Sequence, residues 1–528
     1  MKKPQVIRSA AVVSFWTTVS RLLGLARHIL MAAFFGTSLA HSAFVVAFRI
    51  PNLFRRLFGE GALSASFVPV FTEVLEKEGR EEAWKLAGAA MGLLSAFLAG
   101  IVLVVVAGAQ ASMAVMDLSE KAESVLSLLR IMFPYMFFIC VVALCMGILN
   151  SFGHFFVPAA TPVILNVVWI AALVFICPLF GESPEKRIYG AAWAILAAGI
   201  IQLAVQFPVL LRLGFKLRLS LRPTKRIRKV MILMVPAVAG MGVFQINALI
   251  DSVLALLVAG WAPASLSFAQ LIVHLPLGVF ATALGTVLLP ALSTQKARSE
   301  TGEMLKTLRE SAMVMMLVMI PAAVGLAVLA RPIIELLFER GEFGARSTVL
   351  TARALAFYAP GLAAFGFYRI LTPAFYAAQN TRSPARAALW TVCLNFALNL
   401  LFMFTWPEGY RHAGLAFATV LSSAVNCAVL GVLLSRSGKS PGWGRIAVSG
   451  LKITAMAGVM GAYAHFAHGA LRGAAAGWEI GGIWPKLAAV SGAVACGIAV
   501  YSALVIVFCR EETRVLRSAL PRRKFPTA

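Results

Sequence analysis

The sequence predicts an all-α polytopic membrane protein of about fourteen transmembrane helices, arranged as two parallel six-helix repeats that form two lobes, plus two C-terminal helices. Three observations lead there: composition, the alternation of basic connections along the chain, and an internal repeat. Of 528 residues, 60% are hydrophobic and only 13% charged, outside the range of soluble domains. Lipid tails are therefore the solvent for most of the chain, and one polytopic body is expected rather than several soluble domains.

Apolar runs long enough to cross about 30 Å of hydrocarbon centre near residues 22, 53, 95, 136, 168, 201, 243, 280, 319, 363, 395, 424, 457 and 497. The first, SFWTTVSRLLGLARHILMAAFFG (14 to 36), is interrupted by Arg21 and Arg27 and is followed by no convincing small-x-small cleavage site, so it reads as a retained span and not a signal peptide. The second, AFRIPNLFRRLFGEGALSASFVPVF (47 to 71), holds Arg49, Arg55, Arg56 and Glu60. Lys2, Lys3 and Arg8 place the start of the chain in the cytoplasm, so every second connection should be rich in Lys and Arg. Residues 212 to 229, 295 to 310, 435 to 445 and the tail 517 to 524 are basic, whereas odd connections such as 107 to 123 and 260 to 265 carry few cations. Both termini are thus expected inside. Most of the net charge of +25 becomes a topology signal and a contact with anionic phospholipids at the cytoplasmic face, and nucleic acid is not an expected partner.

The halves repeat. Pro134 and Pro158 lie 24 residues apart, as do Pro360 and Pro384, at an offset of 226. Gly190 precedes Gln202 by 12 and Gly414 precedes Asn426 by 12, at an offset of 224; Pro69 and Pro290 align at 221. Six spans per copy is an even number, so both copies run the same way through the membrane. The expected division is 1–222 for the first six-helix lobe, 223–440 for the second, and 441–528 for two additional helices and a basic cytoplasmic tail. The seven cysteines show no C-x-x-C pair and no His at ligand spacing, so no metal site is expected and they read as buried small hydrophobes.

Parallel repeats suggest a transporter with a cavity open to alternate sides. A charge at mid-membrane costs several kcal/mol, about 2.5 or more, unless it meets water, a partner or the protein interior. The arginines should therefore line a cavity, and with few acids nearby they ask for an anion. On an ideal helix Arg49, Arg56 and Glu60 share a face and Arg55 points about 100° away, although Pro51 can kink the span. Each arginine could instead snorkel or form a structural pair, such as Arg56 with Glu60. No nucleotide-binding loop is present, and membrane potential or a coupling ion is the expected energy source; no cofactor is expected. An enzyme acting on polyprenyl phosphates would need clustered acids for a metal, and Asp and Glu total 22, mostly in loops.

The segments TTVSRLLGLARHILMAAFFG, AFRIPNLFRRLFGEGALSASFVPVF, LPLGVFATALGTVLLPALS and RILTPAFYAAQNTRSPAR resemble the MurJ (MviN-type) lipid II flippases of the multidrug/oligosaccharidyl-lipid/polysaccharide exporter superfamily. The likeness covers nearly the whole chain. It implies a fourteen-helix transporter, not an enzyme, in the bacterial cytoplasmic (inner) membrane. It would move lipid II, the undecaprenyl-diphosphate-linked peptidoglycan precursor, from inner to outer leaflet for cell wall biogenesis and cell shape, with the cell-wall synthesis machinery as neighbour. It also implies a cationic cavity for the diphosphate, with Ser20, Arg21, Arg27 and Arg55 carried over by motif, and a groove for the lipid tail near the last two helices. Two positions depart from the family pattern: Ser42 stands where many relatives have an acid, and Leu271 where many carry a cavity arginine. Asp251, His274 and Arg369 remain as second-lobe contributors, Asp251 also being readable as a structural acid. A flippase for another polyprenyl-diphosphate polysaccharide, of O-antigen type, is the rival reading; a cation-coupled drug exporter would need a dominating buried acid.

Overall fold

The structure, a computed structural model, describes residues 3–509 except 217, 223, 437–439 and 476–481; the side chains of 3–10, 59–62, 64, 65, 236, 237, 239–241 and 244 also lie outside the description. The chain divides into two compact units, Met1–Ala264 with Arg340–Phe343, and Ser265–Glu339 with Gly344–Ala528.

The first unit contains α1 (Lys3–Phe35), α2 (Leu39–Phe54), a π-helical turn (Arg55–Ala62), α3 (Leu63–Glu78), α4 (Arg80–Val115), α5 (Glu120–Met132), α6 (Tyr135–Ser151), α7 (Phe156–Ala171), α8 (Pro184–Arg212) and α9 (Lys225–Val258). The second holds most of α10 (Ala262–Pro276), a π-helical turn (Leu277–Ala281), α11 (Thr282–Ala297), α12 (Thr301–Val328), α13 (Ala330–Phe338), α14 (Ala345–Tyr358), α15 (Gly361–Ala377), α16 (Arg382–Thr405), α17 (Arg411–Arg436), α18 (Trp443–Ala475) and α19 (Trp484–Phe508). Among the described residues, ten helical runs are long and apolar enough to cross a membrane, or twelve if each of two bent pairs is one span. The runs expected around residues 53 and 243 are not among them. The first holds four charged residues, and α9 contributes only a shorter apolar helix, Gln245–Val258.

The repeat read from proline and glycine spacing has a physical basis in each unit. The pair α5–α6 bends by 40° just before Pro134 starts α6, and α14–α15 bends by 43° just before Pro360 starts α15. In both, a residue without an N–H breaks the helical ladder. Pro51 and Pro276 are likewise each followed by a π-helical turn, one starting at Arg55 and the other at Leu277. Gly190 sits where an added Cβ would lie 3.0 Å from the Cys177 backbone at the end of the preceding span, and a Cβ on Gly414 would lie 2.8 Å from Phe402 on α16. Only glycine allows these helices to approach so closely, the usual device where lipid gives no hydrophobic drive for helix association.

Buried amides add ties of the same kind. Gln202 and Gln206 of α8 donate to the Thr161 carbonyl (2.8 Å) and hydroxyl (2.7 Å) of α7. Asn395 of α16 donates to Ser422 of α17 at 3.3 Å, and Asn426 is also buried. Aromatic packing fills the first unit, with Phe44, Phe133, Tyr135 and Trp169 in one cluster and Phe67, Phe71 and Phe215 in another.

The six-span repeat would assign α9 to the second half, whereas its contacts lie in the first unit. Arg226 at its start pairs with Glu78 and, at 3.5 Å, with Glu82; Lys229 reaches Glu73 at 3.4 Å. At its far end Lys121 of α5 donates to the Leu256 carbonyl at 2.8 Å. In the second unit Glu335 of α13 holds both Arg472 (3.5 Å) and Lys486 (3.0 Å), tying α18 and α19 together. Four cysteines are buried, including Cys140 and Cys145, but Cys393 is exposed on α16, which corrects the expectation that all seven are buried.

Gly414→Leu should lower the heat stability of the detergent-purified protein, because overpacking a close helix contact costs about 1–3 kcal/mol. Gly458→Leu, at a glycine of α18 with nothing within 4 Å of an added Cβ, should not. Loss of monodisperse protein after heating, followed by size-exclusion chromatography, checks both.

Candidate functional site

Pro51 supplies no N–H to the preceding turn of α2, and four residues later the backbone shifts to the wider π-helical register. That widening invalidates ideal 100° spacing beyond Arg55. Arg55 and Arg56, adjacent at the start of the turn, then point to different neighbours.

Arg49 and Arg56 are directed at α9. Arg49 Nη1 donates to the Ala248 carbonyl at 2.7 Å, and Arg56 Nη1 reaches Gln245 Oε1 at 3.5 Å. Arg55 is half-buried; its Nε donates to Asn52 Oδ1 at 2.8 Å, and its charge is felt at Arg27 and at the buried Cys140. The side chain of Glu60 lies outside the described residues, so its pairing with Arg56 has no structural account.

Arg27 lies on α1 with its guanidinium stacked 4.2 Å from the ring centroid of Trp169 on α7. Its Nη2 is 3.0 Å from His28 Nε2, and its buried Nε has no hydrogen-bond partner among the described residues. Trp169 is itself 3% exposed. One turn before it, Asn166 donates to both the carbonyl (3.0 Å) and the hydroxyl (3.3 Å) of Ser20, pinning α1 to α7 beside the arginines. Arg21 is exposed on α1. The first unit thus brings Arg27 and Arg55 within electrostatic range of each other. Two like charges so placed, with forked donors, are a ready receptor for a multivalent oxyanion.

Asp251 receives a hydrogen bond from Asn247 at 3.4 Å, one turn earlier on α9. In the second unit His274 is exposed on α10 and its Nδ1–H donates to the Gln270 carbonyl at 2.7 Å; Gln270 in turn donates to Tyr358 Oη at 2.9 Å. Arg369 is exposed on α15, and Leu271 is half-buried and apolar. Ser42 is buried, and its hydroxyl accepts the backbone N–H of Ala264 at 3.3 Å in the first turn of α10. A serine there serves as a helix-start acceptor. Among the described residues no three His, Cys, Asp or Glu side chains come together as a metal cage.

Trp169, Asn166, Asn52 and Gln245 were not singled out from the sequence. The available signals were a polar amide one turn from a tryptophan inside a span, and an amide three residues before Arg55.

Comparison with known proteins identifies the family. The family model described as "Lipid II flippase MurJ" matches residues 31–471, most of the chain. The chain belongs to the MurJ family. A Rhizobium tropici member is 36% identical over 444 residues, covering 82% of this chain and 81% of that protein. The "Lipid II flippase MurJ" of Burkholderia cenocepacia is 34% identical over 458 residues, 84% of this chain and 87% of its own. A solved structure described as "Lipid II flippase MurJ, inward closed conformation" matches with a TM-score of 0.74 and 26% identity over 96% of this chain and 100% of that one. An inward-facing MATE transporter of the MOP superfamily, 16% identical with a TM-score of 0.64 over 81% of this chain and 95% of that one, shares the fold. This MurJ family member is a multi-pass membrane transporter and not an enzyme.

Stacking on an indole is worth about 0.5–2 kcal/mol to a guanidinium. Trp169→Leu should therefore reduce growth of a strain that depends on this chain, with membrane abundance unchanged, while Trp169→Phe keeps most of it. Growth curves with immunoblots of membranes check this.

Proposed function

We propose that this chain is a lipid II flippase, carrying the undecaprenyl-diphosphate-linked peptidoglycan precursor from the inner to the outer leaflet of the bacterial cytoplasmic membrane by alternating access. The observation that carries the reading is the family match over residues 31–471, and the convergence of Arg27 and Arg55 supports it. In this reading Arg27 and Arg55, with Arg21 and Ser20 on the same helix α1, hold the diphosphate. Forked guanidinium donors in a partly dehydrated site bind a phosphate more strongly than at the surface. Trp169 and Asn52 orient Arg27 and Arg55. Arg49 and Arg56, both bonded to α9, belong to the wall of the cationic cavity in this reading, Glu60 is kept as a candidate from the sequence, and Asp251, His274 and Arg369 are further contributors from later in the chain.

The reading counts fourteen spans by adding two to the twelve: α2 with its π-helical turn and α3, and α9. It retains 1–222 and 223–440 as the two repeats and 441–528 as the additional helices with their tail. Both termini are cytoplasmic, the basic connections meet anionic phospholipids, and the cell-wall synthesis machinery is the cellular neighbour. Moving each negative charge outward through an interior-negative potential gains about 2.3 kcal/mol per 100 mV, enough to bias a diphosphate toward export.

Arg21→Ala, Arg27→Ala and Arg55→Ala should each abolish complementation at normal membrane abundance; wild-type growth of all three would remove the cavity reading. Acute depletion of the protein should lower the lipid II that an externally added cleaving enzyme reaches, while the total pool holds or rises. Unchanged exposure, with no second flippase present, would move the assignment to another lipid-linked glycan.

A further inference from the structure

Away from the arginines of the first unit, the second unit contains an open concavity of about 520 Å³ where the start of α12 meets the turn that leads into α18. Its lining includes Lys306, Arg309, Ser440, Pro441, Gly442 and Arg445. Three cations with no acid in the lining make it an anion receptor by charge alone. Arg309 and Arg445 have no carboxylate partner among the described residues, and Lys306 has only the exposed Glu303, at 3.6 Å. Arg309 is half-buried and lies against Gly442, whose added Cβ would sit 3.8 Å from its Nη1. Gly302 in the first turn of α12 and Gly442 just before α18 line the same space. The site is held in place from behind, since Trp443 Nε1 donates to Ser435 of α17 at 2.6 Å.

What lies beside the concavity selects the occupant. Val448 and Leu451, about one and two turns beyond Arg445 on α18, are 56% and 75% exposed, and Lys452 next to them is exposed too. A basic hollow that continues into an apolar helix face matches an amphiphile with a phosphate head and acyl tails, whereas a soluble phosphate would use the hollow alone. We infer that this concavity is a headgroup site for an anionic phospholipid, with the phosphate on Arg309, Arg445 and Lys306 and the acyl chains along α18. Its lining residues belong to two of the most basic connections in the sequence, 295 to 310 and 435 to 445, as a contact with an anionic leaflet requires.

The test is native mass spectrometry of the full-length detergent-purified protein with added dioleoyl-phosphatidylglycerol or dioleoyl-phosphatidylcholine. Wild type should retain one phosphatidylglycerol about tenfold better than phosphatidylcholine, and Arg309→Gln with Arg445→Gln should erase that preference, as expected for loss of charge-assisted bonds. Arg445→Gln alone, at an exposed position, should weaken it partially, and it serves if the double variant does not elute as a single species. Equal retention of the two lipids, or a preference that survives the substitutions, overturns the inference. Binding of soluble glycerol phosphate as tight as that of phosphatidylglycerol, with the same loss in the variants, overturns the lipid source. Lipid II and the arginines of α1 and α2 do not enter this readout, so it succeeds or fails independently of the flippase reading.

Discussion

Arg27 lies flat on the indole of Trp169, and much of the first unit follows from that contact. A guanidinium within a membrane span must face protein or water. Placing it on Trp169 fixes which side of α1 meets α7, and Asn166 secures the same side through Ser20. With α1 and α7 in register, the turn after α2 brings Arg55 toward Arg27, while Arg49 and Arg56 are taken up by the backbone and Gln245 of α9. Four arginines in neighbouring spans are thereby sorted into two that are anchored to α9 and two that are held within the first unit by Trp169 and Asn52.

The remaining cohesion uses short-range contacts suited to a lipid solvent. Glycines at Gly190 and Gly414 let helices touch, buried amides such as Gln202 and Asn395 bond across them, and ion pairs close the ends, from Arg226 with Glu78 to Glu335 with Lys486. Hydrophobic burial gives little net drive between helices when lipid tails are equally apolar, so these contacts supply much of the specificity.

The all-helical membrane fold was legible because hydropathy acts over whole spans, and the repeat was legible because proline and glycine have backbone consequences that recur wherever the backbone recurs. The bends before Pro134 and Pro360 are of that kind. Span counting by apolarity stops short where charged residues interrupt a run, as in the second span with its four charges. At the site, the separation of Arg55 from the Arg49–Arg56 face was visible in helical arithmetic. Its actual neighbour was not, because a π-helical turn changes the angle between successive side chains and no residue in Arg55–Ala62 announces that register. Trp169 was hidden for another reason: a tryptophan in a span is ordinarily core, and only the fold shows a cation above its face.

The π-helical turns Arg55–Ala62 and Leu277–Ala281 carry a consequence for how each unit can vary. Both follow a proline, yet Arg55–Ala62 is charged and Leu277–Ala281 is wholly apolar. The joint therefore occurs both with cations and without them, so the mechanical and chemical roles of these residues are separable. An inserted or deleted residue in a straight helix would rotate everything beyond it, but a turn that already holds an extra residue can take up such a slip. Each of these turns is thus a place where a span can lengthen or shorten by one residue without reorienting the helix that leads into it.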